Sequence, residues 1–140
     1  PDAEADQGEH EFTYALLPHD GPFNTEAVVH EAYALNQTLT PIFLGETTGD
    51  GHGLDFCSVD NPNVIMESIK KAEKDDAVIL RCYEAGKTRG PATFTFARSI
   101  KKAATCDMME ENDAALRIEK DGVTVDFRPF EIKTLKVYLK

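Results

Sequence analysis

The chain has 140 residues, and its 25 acidic and 15 basic side chains give a formal net charge of −10. A chain of this length forms one domain and buries roughly 68% of the surface that its unfolded form exposes. The acid excess disfavours nucleic acid and anionic membranes as partners, because both attract a basic face. No apolar run approaches the ~20 residues that a membrane span requires. We therefore expect neither a nucleic-acid nor a membrane partner.

The first predicted element is a strand near the start of the chain. Phe12, Tyr14 and Leu16 alternate with polar or small residues, which is the period of a strand with one buried face. Residues 18–22 contain two prolines and a glycine, and these residue types interrupt the hydrogen bonding of a sheet. We expect the strand to end there.

A helix is predicted next. Asn24 is a suitable N-cap, because its side-chain oxygen can accept a hydrogen bond from an unpaired backbone N–H group. Val28, Ala32 and Leu35 follow at helical spacing and share one face. Asn36 is the expected end of the helix.

A glycine-rich loop is predicted at residues 45–53, which contain four glycines in nine positions. Glycine gives the backbone too much freedom to hold regular structure there. We place the organisational boundary of the chain at this loop, with residues 1–44 before it and 54–140 after it. The chain opens without Met on an irregular acidic segment, so we expect it to be a piece of a longer protein.

Residues 54–140 follow a pattern of short strands separated by turns. The predicted strands are 54–58, 64–71, 77–85, 92–97, 100–106, 116–120, 123–127 and 135–139. Asp121-Gly122 is typical of a tight hairpin. About seven short strands at this spacing predict a mainly β fold, an antiparallel β-sandwich with one helix near its N-terminal end. In the first strand we expect Leu54, Phe56 and Ser58 to share a face.

The acidic residues form no recognisable catalytic pair. Glycoside hydrolysis needs two carboxylates that face one bond, about 5 or 6.5–9.5 Å apart. Glu110-Glu111 and Asp75-Asp76 occur in turn-like sequence and are interpreted as solvated. Arg81 with Glu84, and Arg89 in the following turn, are interpreted as solvated charges or surface ion pairs. We assign no catalytic residue, and the substrate-binding residues stay unassigned.

The histidines and cysteines do not have the spacing of a metal site. His10, His19, His30 and His52 have no suitable partners nearby, so we assign no metal ligand. The three cysteines are widely spaced and form no CxxC pair, which is a poor disulfide framework. These are Cys57, Cys82 and Cys106. Free thiols indicate a reducing compartment, and we expect a cytoplasmic protein.

The aromatic residues offer few platforms for a sugar ring. The chain has no Trp, and Phe94, Phe96 and Phe127 occupy positions that we interpret as core. Four tyrosines could serve as platforms in a sugar-binding module, although packing is the simpler interpretation of each. They are Tyr14, Tyr33, Tyr83 and Tyr138.

Five blocks of sequence are informative together. They are Asp6-x-Gly8-x-His10-x-Phe12-x-Tyr14-x-Leu16-x-Pro18-His19, Val64 to Glu67 with Lys70-Lys71-Ala72-Glu73, Leu80-Arg81-x-Tyr83-Glu84 with Arg89-Gly90, Cys106-Asp107-x-x-Glu110-Glu111, and Phe127-x-Pro129-Phe130-Glu131-Ile132-Lys133-Thr134-Leu135. In order and spacing they resemble the C-terminal region of the family 38 glycoside hydrolases, the zinc-dependent α-mannosidases.

This resemblance implies a large retaining enzyme whose zinc is bound by His and Asp residues of an N-terminal catalytic domain. None of those residues is present here, so we expect no cofactor in this chain. The resemblance also implies that residues 1–44 are the tail of a preceding larger sandwich domain and that 54–140 form the final small sandwich. The expected partners are the catalytic and middle domains of the parent protein. Asp6, His10 and His19 are predicted interdomain contacts.

Three functions are compatible with these observations. The first is a non-catalytic C-terminal structural domain of a retaining α-mannosidase that hydrolyses terminal α-mannosides. The alternative is an independent carbohydrate-binding β-sandwich module. The third is an assembly surface, which would make the protein a homo-oligomer.

Overall fold

The computed structural model describes residues 5–37, 39–43, 45, 55–120 and 122–140. Within these residues the chain forms one helix and nine strands. The helix α1 is Thr25–Asn36, and the strands are β1 Cys57–Val59, β2 Val64–Lys71, β3 Val78–Glu84, β4 Gly90–Phe96, β5 Ile100–Cys106, β6 Ala114–Ala115, β7 Ile118–Glu119, β8 Gly122–Phe127 and β9 Ile132–Leu139. The prediction of a mainly β fold with one helix near the N-terminal end is confirmed.

The strands form two antiparallel sheets. One sheet has four strands in the order β1-β4-β8-β7, and the other has five in the order β2-β3-β9-β5-β6. The last strand in the chain, β9, therefore lies between β3 and β5, with Leu80 opposite Leu135 and Ala103 opposite Val137. The predicted antiparallel sandwich is confirmed, with nine strands in place of about seven. Strand β6 has no counterpart in the prediction, and β7 lies within the strand predicted at 116–120.

Apolar side chains from the two sheets form the main core. The largest fully buried rings are Phe94 on β4 and Phe127, whose centroids are 6.4 Å apart. Facing them from the five-stranded sheet are Leu80, Cys82 and Leu135. The alternation of β3 and β4 predicted these buried positions correctly, because every second side chain of a strand points to the same face. The three phenylalanines that the sequence assigned to the core, including Phe96, are all buried.

In the first strand, the side chains that face the core are those that alternate with the residues predicted to share a face. Cys57 and Val59 of β1 pack against the main core, whereas Phe56 and Ser58 are exposed. Leu54 lies outside the described residues. The register with β4, in which Val59 pairs with Phe94, fixes which residues point inward, and the sequence of so short a strand does not reveal it.

The predicted hairpin exists, but its loop begins one residue earlier. Glu119 pairs with Gly122, so Gly122 belongs to β8 and Lys120 occupies the loop with φ 55°. Gly122 is required by packing: a Cβ atom there would lie 3.1 Å from the backbone oxygen of Phe94. The glycine thus permits close approach of β8 to β4.

The strand predicted around Phe12 is wrong. Residues 7 and 9–19 have no regular secondary structure, and the side chains of Phe12 and Leu16 are 78% and 91% exposed. An extended segment needs a neighbouring strand to pair its backbone groups, and the described residues supply none to this segment. Most of the predicted loop at 45–53 lies outside the described residues.

The helix is confirmed at the predicted place. The side-chain oxygen of Asn24 accepts hydrogen bonds from the backbone N–H groups of Glu26 and Ala27, as an N-cap should. Helix α1 nevertheless has no buried residue. No helix among the described residues has the length and apolar character needed to cross a bilayer.

Candidate functional site

Residues 5–37 and 39–43 expose a large amount of apolar side chain. The exposed residues are Phe12, Tyr14, Leu16, Leu17, Phe23, Leu35, Leu39, Ile42 and Phe43. We call this set the N-terminal apolar surface. Large contiguous apolar exposure usually marks a surface that another protein or domain covers.

Helix α1 contacts the sandwich only lightly. The hydroxyl oxygens of Tyr33 and Tyr83 are 3.4 Å apart, and Nε2 of His30 lies 3.4 Å from the carbonyl oxygen of Pro62. Burial raises the pKa of Tyr83 to about 12, and its hydrogen bond with Tyr33 adds to the shift. Tyr83 is therefore neutral at physiological pH, and its contact with Tyr33 joins the helix to β3.

The predicted apolar face of α1 turns towards the segment that precedes it. Val28, Ala32 and Leu35 line a groove of about 340 Å³ together with Leu16 and Leu17. The groove is shallow enough that Leu16 stays exposed. The helix and the segment before it thus share an apolar surface that the sandwich does not cover.

The three predicted interdomain residues lie in this exposed part of the chain. Nε2 of His10 is 3.1 Å from the backbone oxygen of Asp6. The ring of His19 meets Phe23 edge-on at 6.4 Å between centroids. The structure brings His10 and Asp6 together, whereas His19 has its own neighbour. Their contact with another domain stays a prediction.

The interpretation of Glu84 as a solvated charge is wrong. This side chain is only 2% exposed because Glu84 continues the inward-facing series of Leu80 and Cys82 along β3. Its Oε1 accepts hydrogen bonds from the backbone N–H groups of Gly86 at 2.9 Å and Thr88 at 2.8 Å, and from the Thr88 hydroxyl at 2.8 Å. The period-two alternation that found the core leucine and cysteine could have found Glu84 as well.

The other carboxylate oxygen of Glu84 reaches the turn between β8 and β9. Oε2 accepts a hydrogen bond from the backbone N–H of Phe130 at 2.9 Å. Burial alone would raise the pKa of Glu84, but these donors outweigh it, so its pKa is lowered. Glu84 therefore stays ionised and joins the β3–β4 turn to the β8–β9 turn.

A second carboxylate holds the β8–β9 turn closed. Glu131 accepts hydrogen bonds from the backbone N–H of Arg128 at 2.8 Å and from its guanidinium group at 2.7 Å. The Arg128 guanidinium is the main reason that the pKa of Glu131 falls to about 2. The turn is thus fixed from both sides by ionised carboxylates.

The interpretation of Glu110 as solvated is also wrong. Glu110 is buried and accepts from the ammonium group of Lys70 at 2.7 Å and the backbone N–H of Glu73 at 2.8 Å. The ammonium group of Lys70 and the backbone N–H of Glu73 lower the pKa of Glu110. The loop after β5 folds over the five-stranded sheet, which the sequence could not show.

Asp75 belongs to the same charged cluster. It lies 3.0 Å from the ammonium group of Lys136 and accepts from the Tyr138 hydroxyl at 2.9 Å. The Ala77 backbone N–H and Lys136 lower the pKa of Asp75 to about 2. Its neighbour Asp76 is exposed, as predicted, and pairs with Lys71 at 3.1 Å.

The three cysteines are free thiols. Burial raises the pKa of Cys57 to about 11 and of Cys82 to about 12, with a smaller contribution from Cys57 to the latter. Such thiols stay protonated and are poor nucleophiles. Within the described ranges no three His, Cys, Asp or Glu residues come together as a metal site. A zinc centre therefore does not fit the part of the chain that the structure describes.

Comparison with known sequences decides the family. A sequence model described as "Glycosyl hydrolases family 38 C-terminal beta sandwich domain" matches residues 63–135, which run from the start of β2 into β9. The chain belongs to this family. The resemblance inferred from the five sequence blocks is confirmed, and the matched range of this family 38 domain contains the Glu84 and Phe130 turns.

Curated relatives align with the family 38 domain over nearly its whole length. "Alpha-mannosidase 2C1" of Mus musculus is 35% identical over 145 residues, and the Homo sapiens protein of the same name is 33% identical; both alignments cover all of this chain. "Alpha-mannosidase G" of Dictyostelium discoideum is 34% identical over 97% of the chain. The chain spans only 14%, 14% and 13% of these relatives.

Proposed function

We propose that this chain is the non-catalytic C-terminal structural domain of a retaining α-mannosidase that hydrolyses terminal α-mannosides. The observation that supports the proposal most directly is that its hydrogen-bonded carboxylates are held in the ionised form. Asp75, Glu84, Asp107, Glu110 and Glu131 all have lowered pKa values, and each accepts hydrogen bonds from backbone or cationic groups. A glycosidase general acid needs the opposite, a raised pKa and access to the substrate.

The proposed partners are the catalytic and middle domains of the same polypeptide. The N-terminal apolar surface supports this, because it has the character of an interface before it is covered. The names of the relatives support an α-mannosidase as the parent, and their lengths leave room for the other domains. We propose that the zinc is bound in the catalytic domain and that Asp6, His10 and His19 contact a neighbouring domain.

We propose a cytoplasmic location for the parent enzyme. The support is the set of three unpaired cysteines, since oxidising compartments favour disulfides. Homo-oligomerisation of the parent is part of the proposal, and sedimentation of the purified protein tests it.

An activity assay tests the structural role. The purified 140-residue chain is incubated with an aryl α-mannoside and zinc, beside the full-length parent. We expect hydrolysis by the parent only. Hydrolysis by the 140-residue chain at a rate above the uncatalysed one would contradict the proposal.

A binding assay separates this role from that of an independent sugar-binding module. Isothermal titration of the chain with mannose oligosaccharides at millimolar concentration is expected to give no binding heat. Saturable heat would favour the carbohydrate-binding alternative, and the depression of about 330 Å³ beside Tyr33, Asn36 and Tyr83 would be the first place to mutate.

A further inference from the structure

The β8–β9 turn holds an aromatic ring in an unfavourable position. Phe130 has φ 58°, in the left-handed region that is unfavourable for a non-glycine residue. Its side chain is 63% exposed, and no aromatic or cation–π contact of this ring occurs among the described residues. Strain of this kind persists only where the surroundings impose it, and it often marks a functional position.

The surroundings of Phe130 impose the conformation through two carboxylates. Its backbone N–H donates to the buried Glu84 carboxylate at 2.9 Å, and the Glu131 carboxylate accepts a hydrogen bond from the Arg128 backbone N–H at 2.8 Å. Glu84 is itself fixed by the β3–β4 turn through Gly86. The backbone that carries the Phe130 ring is thus fixed by hydrogen bonds. This reduces the conformational entropy that is lost when the residue binds a partner.

The neighbours of Phe130 define the chemistry of the surface. Ile132 is also 63% exposed. Lys87 and Arg89 are exposed on the β3–β4 turn, and neither has an ion pair in the part of the chain that the structure describes. Gly90 pairs with Phe127, so Arg89 comes next to the β8–β9 turn. We call Lys87, Arg89, Phe130 and Ile132 the Phe130 surface. It combines two exposed apolar side chains at the β8–β9 turn with two exposed cations on the neighbouring β3–β4 turn, in a chain of net charge −10.

The Phe130 surface continues towards the N-terminal apolar surface. Phe23, Asn63 and Gly86 line one depression, and Gly86 belongs to the same turn as Lys87. Ile132 pairs with Tyr83 across β9 and β3, and Tyr83 meets Tyr33 of helix α1. Both exposed surfaces therefore lie at the same end of the sandwich.

We propose that the Phe130 surface is an anchor that inserts into an apolar pocket flanked by carboxylates on the remaining polypeptide of the parent enzyme. The inference rests on the proposed function. The remaining polypeptide is the chosen partner because the chain spans only about 14% of its relatives. It is also the partner that the N-terminal apolar surface, at the same end of the sandwich, would meet. We expect carboxylates on the partner because Lys87 and Arg89 need opposite charges when they are covered. We expect an apolar pocket because a buried aromatic side chain is the usual centre of an interface.

Hydroxyl-radical footprinting with mass spectrometry tests the anchor. The 140-residue chain and the full-length parent are labelled side by side, and oxidation is compared at Phe130, Tyr14 and Met109. Met109 is the internal control, because it is 75% exposed on the loop after β5. We expect severalfold slower oxidation of Phe130 and Tyr14 in the parent and an unchanged rate at Met109.

The outcomes separate the anchor from the proposed function. Protection of Tyr14 without protection of Phe130 would overturn the anchor and leave the structural role standing. No protection of either residue would count against both. The assigned partner would be overturned if Phe130 were already protected in the isolated chain and that chain sedimented as a dimer. It would also be overturned if mannose oligosaccharides slowed the oxidation of Phe130 in the isolated chain.

Two variants give a second readout. Phe130→Gly suits the positive φ and is expected to leave the unfolding temperature of the 140-residue chain unchanged or higher, while lowering that of the parent by several degrees. Met109→Ala is expected to change neither. A parent that is as stable with Phe130→Gly as with Met109→Ala would overturn the anchor.

Discussion

Two segments of this chain have the same apolar pattern and different structures. Phe12, Tyr14 and Leu16 alternate with polar or small residues, and so do Phe94 and Phe96. The phenylalanines on β4 are buried between two sheets, whereas the first three side chains are exposed on a segment without regular structure. Alternation therefore specifies what a segment can bury, and neighbouring strands decide whether it does so.

The neighbours account for the difference. Strand β4 lies between β1 and β8, so its backbone groups are paired on both sides. Residues 11–19 have no such neighbour among the described residues. Unpaired backbone groups of a strand-like segment favour pairing with another strand. The proposed neighbouring domain could supply that strand to residues 11–19.

The largest effect should come from the core of the sandwich. Phe94→Ala removes a fully buried ring that packs on Phe127, and we expect a loss of about 3–5 kcal/mol in the free energy of unfolding. The matched change Phe12→Ala should stay within about 0.5 kcal/mol. Urea unfolding of the 140-residue chain measures both. Equal losses would show that residues 5–37 are packed in solution and would break the comparison.

The next effect concerns the anchored carboxylate. Glu84→Ala leaves the donors of Gly86, Thr88 and Phe130 without their acceptor, and we expect a loss of about 2–4 kcal/mol in the free energy of unfolding. Glu67→Ala is the control, because Glu67 is exposed on β2 and should cost less than about 0.5 kcal/mol. If the two variants unfold at the same urea concentration, Glu84 does not hold the two turns together.

A smaller effect should appear in acid. The pKa of Asp75 is lowered from its ordinary value of 3.8 to about 2, so its contribution to stability is complete above pH 4 and disappears as the pH falls towards 2. We expect the urea midpoint of the chain to decrease across this range and the decrease to be shallower in Asp75→Asn. An Asp76→Asn variant, whose carboxylate is exposed, should follow the unmodified chain. Identical acid profiles for the two variants would contradict the role of Asp75.

The sequence predicted most of the sandwich because its strands are locally self-consistent. β2 and β5 were predicted to the residue, and β3 and β9 within a few residues of their ends. Properties that depend on distant neighbours were missed. The register of β1 is set by β4, the burial of Glu110 by a loop that crosses the sheet, and the hairpin loop by the pairing of Glu119 with Gly122.

The candidate site was less predictable for the same reason. The sequence block around Phe130 and Glu131 was recognised, but its role was not, because the left-handed φ of Phe130 depends on a hydrogen bond to Glu84, 46 positions away. Glu84 itself could have been predicted from alternation, yet a carboxylate at a core position is a rare assignment. Only the structure joins the two turns.

The central position of β9 affects how the domain can be made. Because β9 follows all the other strands in the chain and lies between β3 and β5, the ribosome must pass residue 139 before the five-stranded sheet can close. Until then β3 and β5 each have an open edge, which can pair with another chain. During translation the domain therefore has two unpaired strand edges. Premature termination before residue 132 would leave both edges unpaired, and the truncated chain would be prone to aggregate.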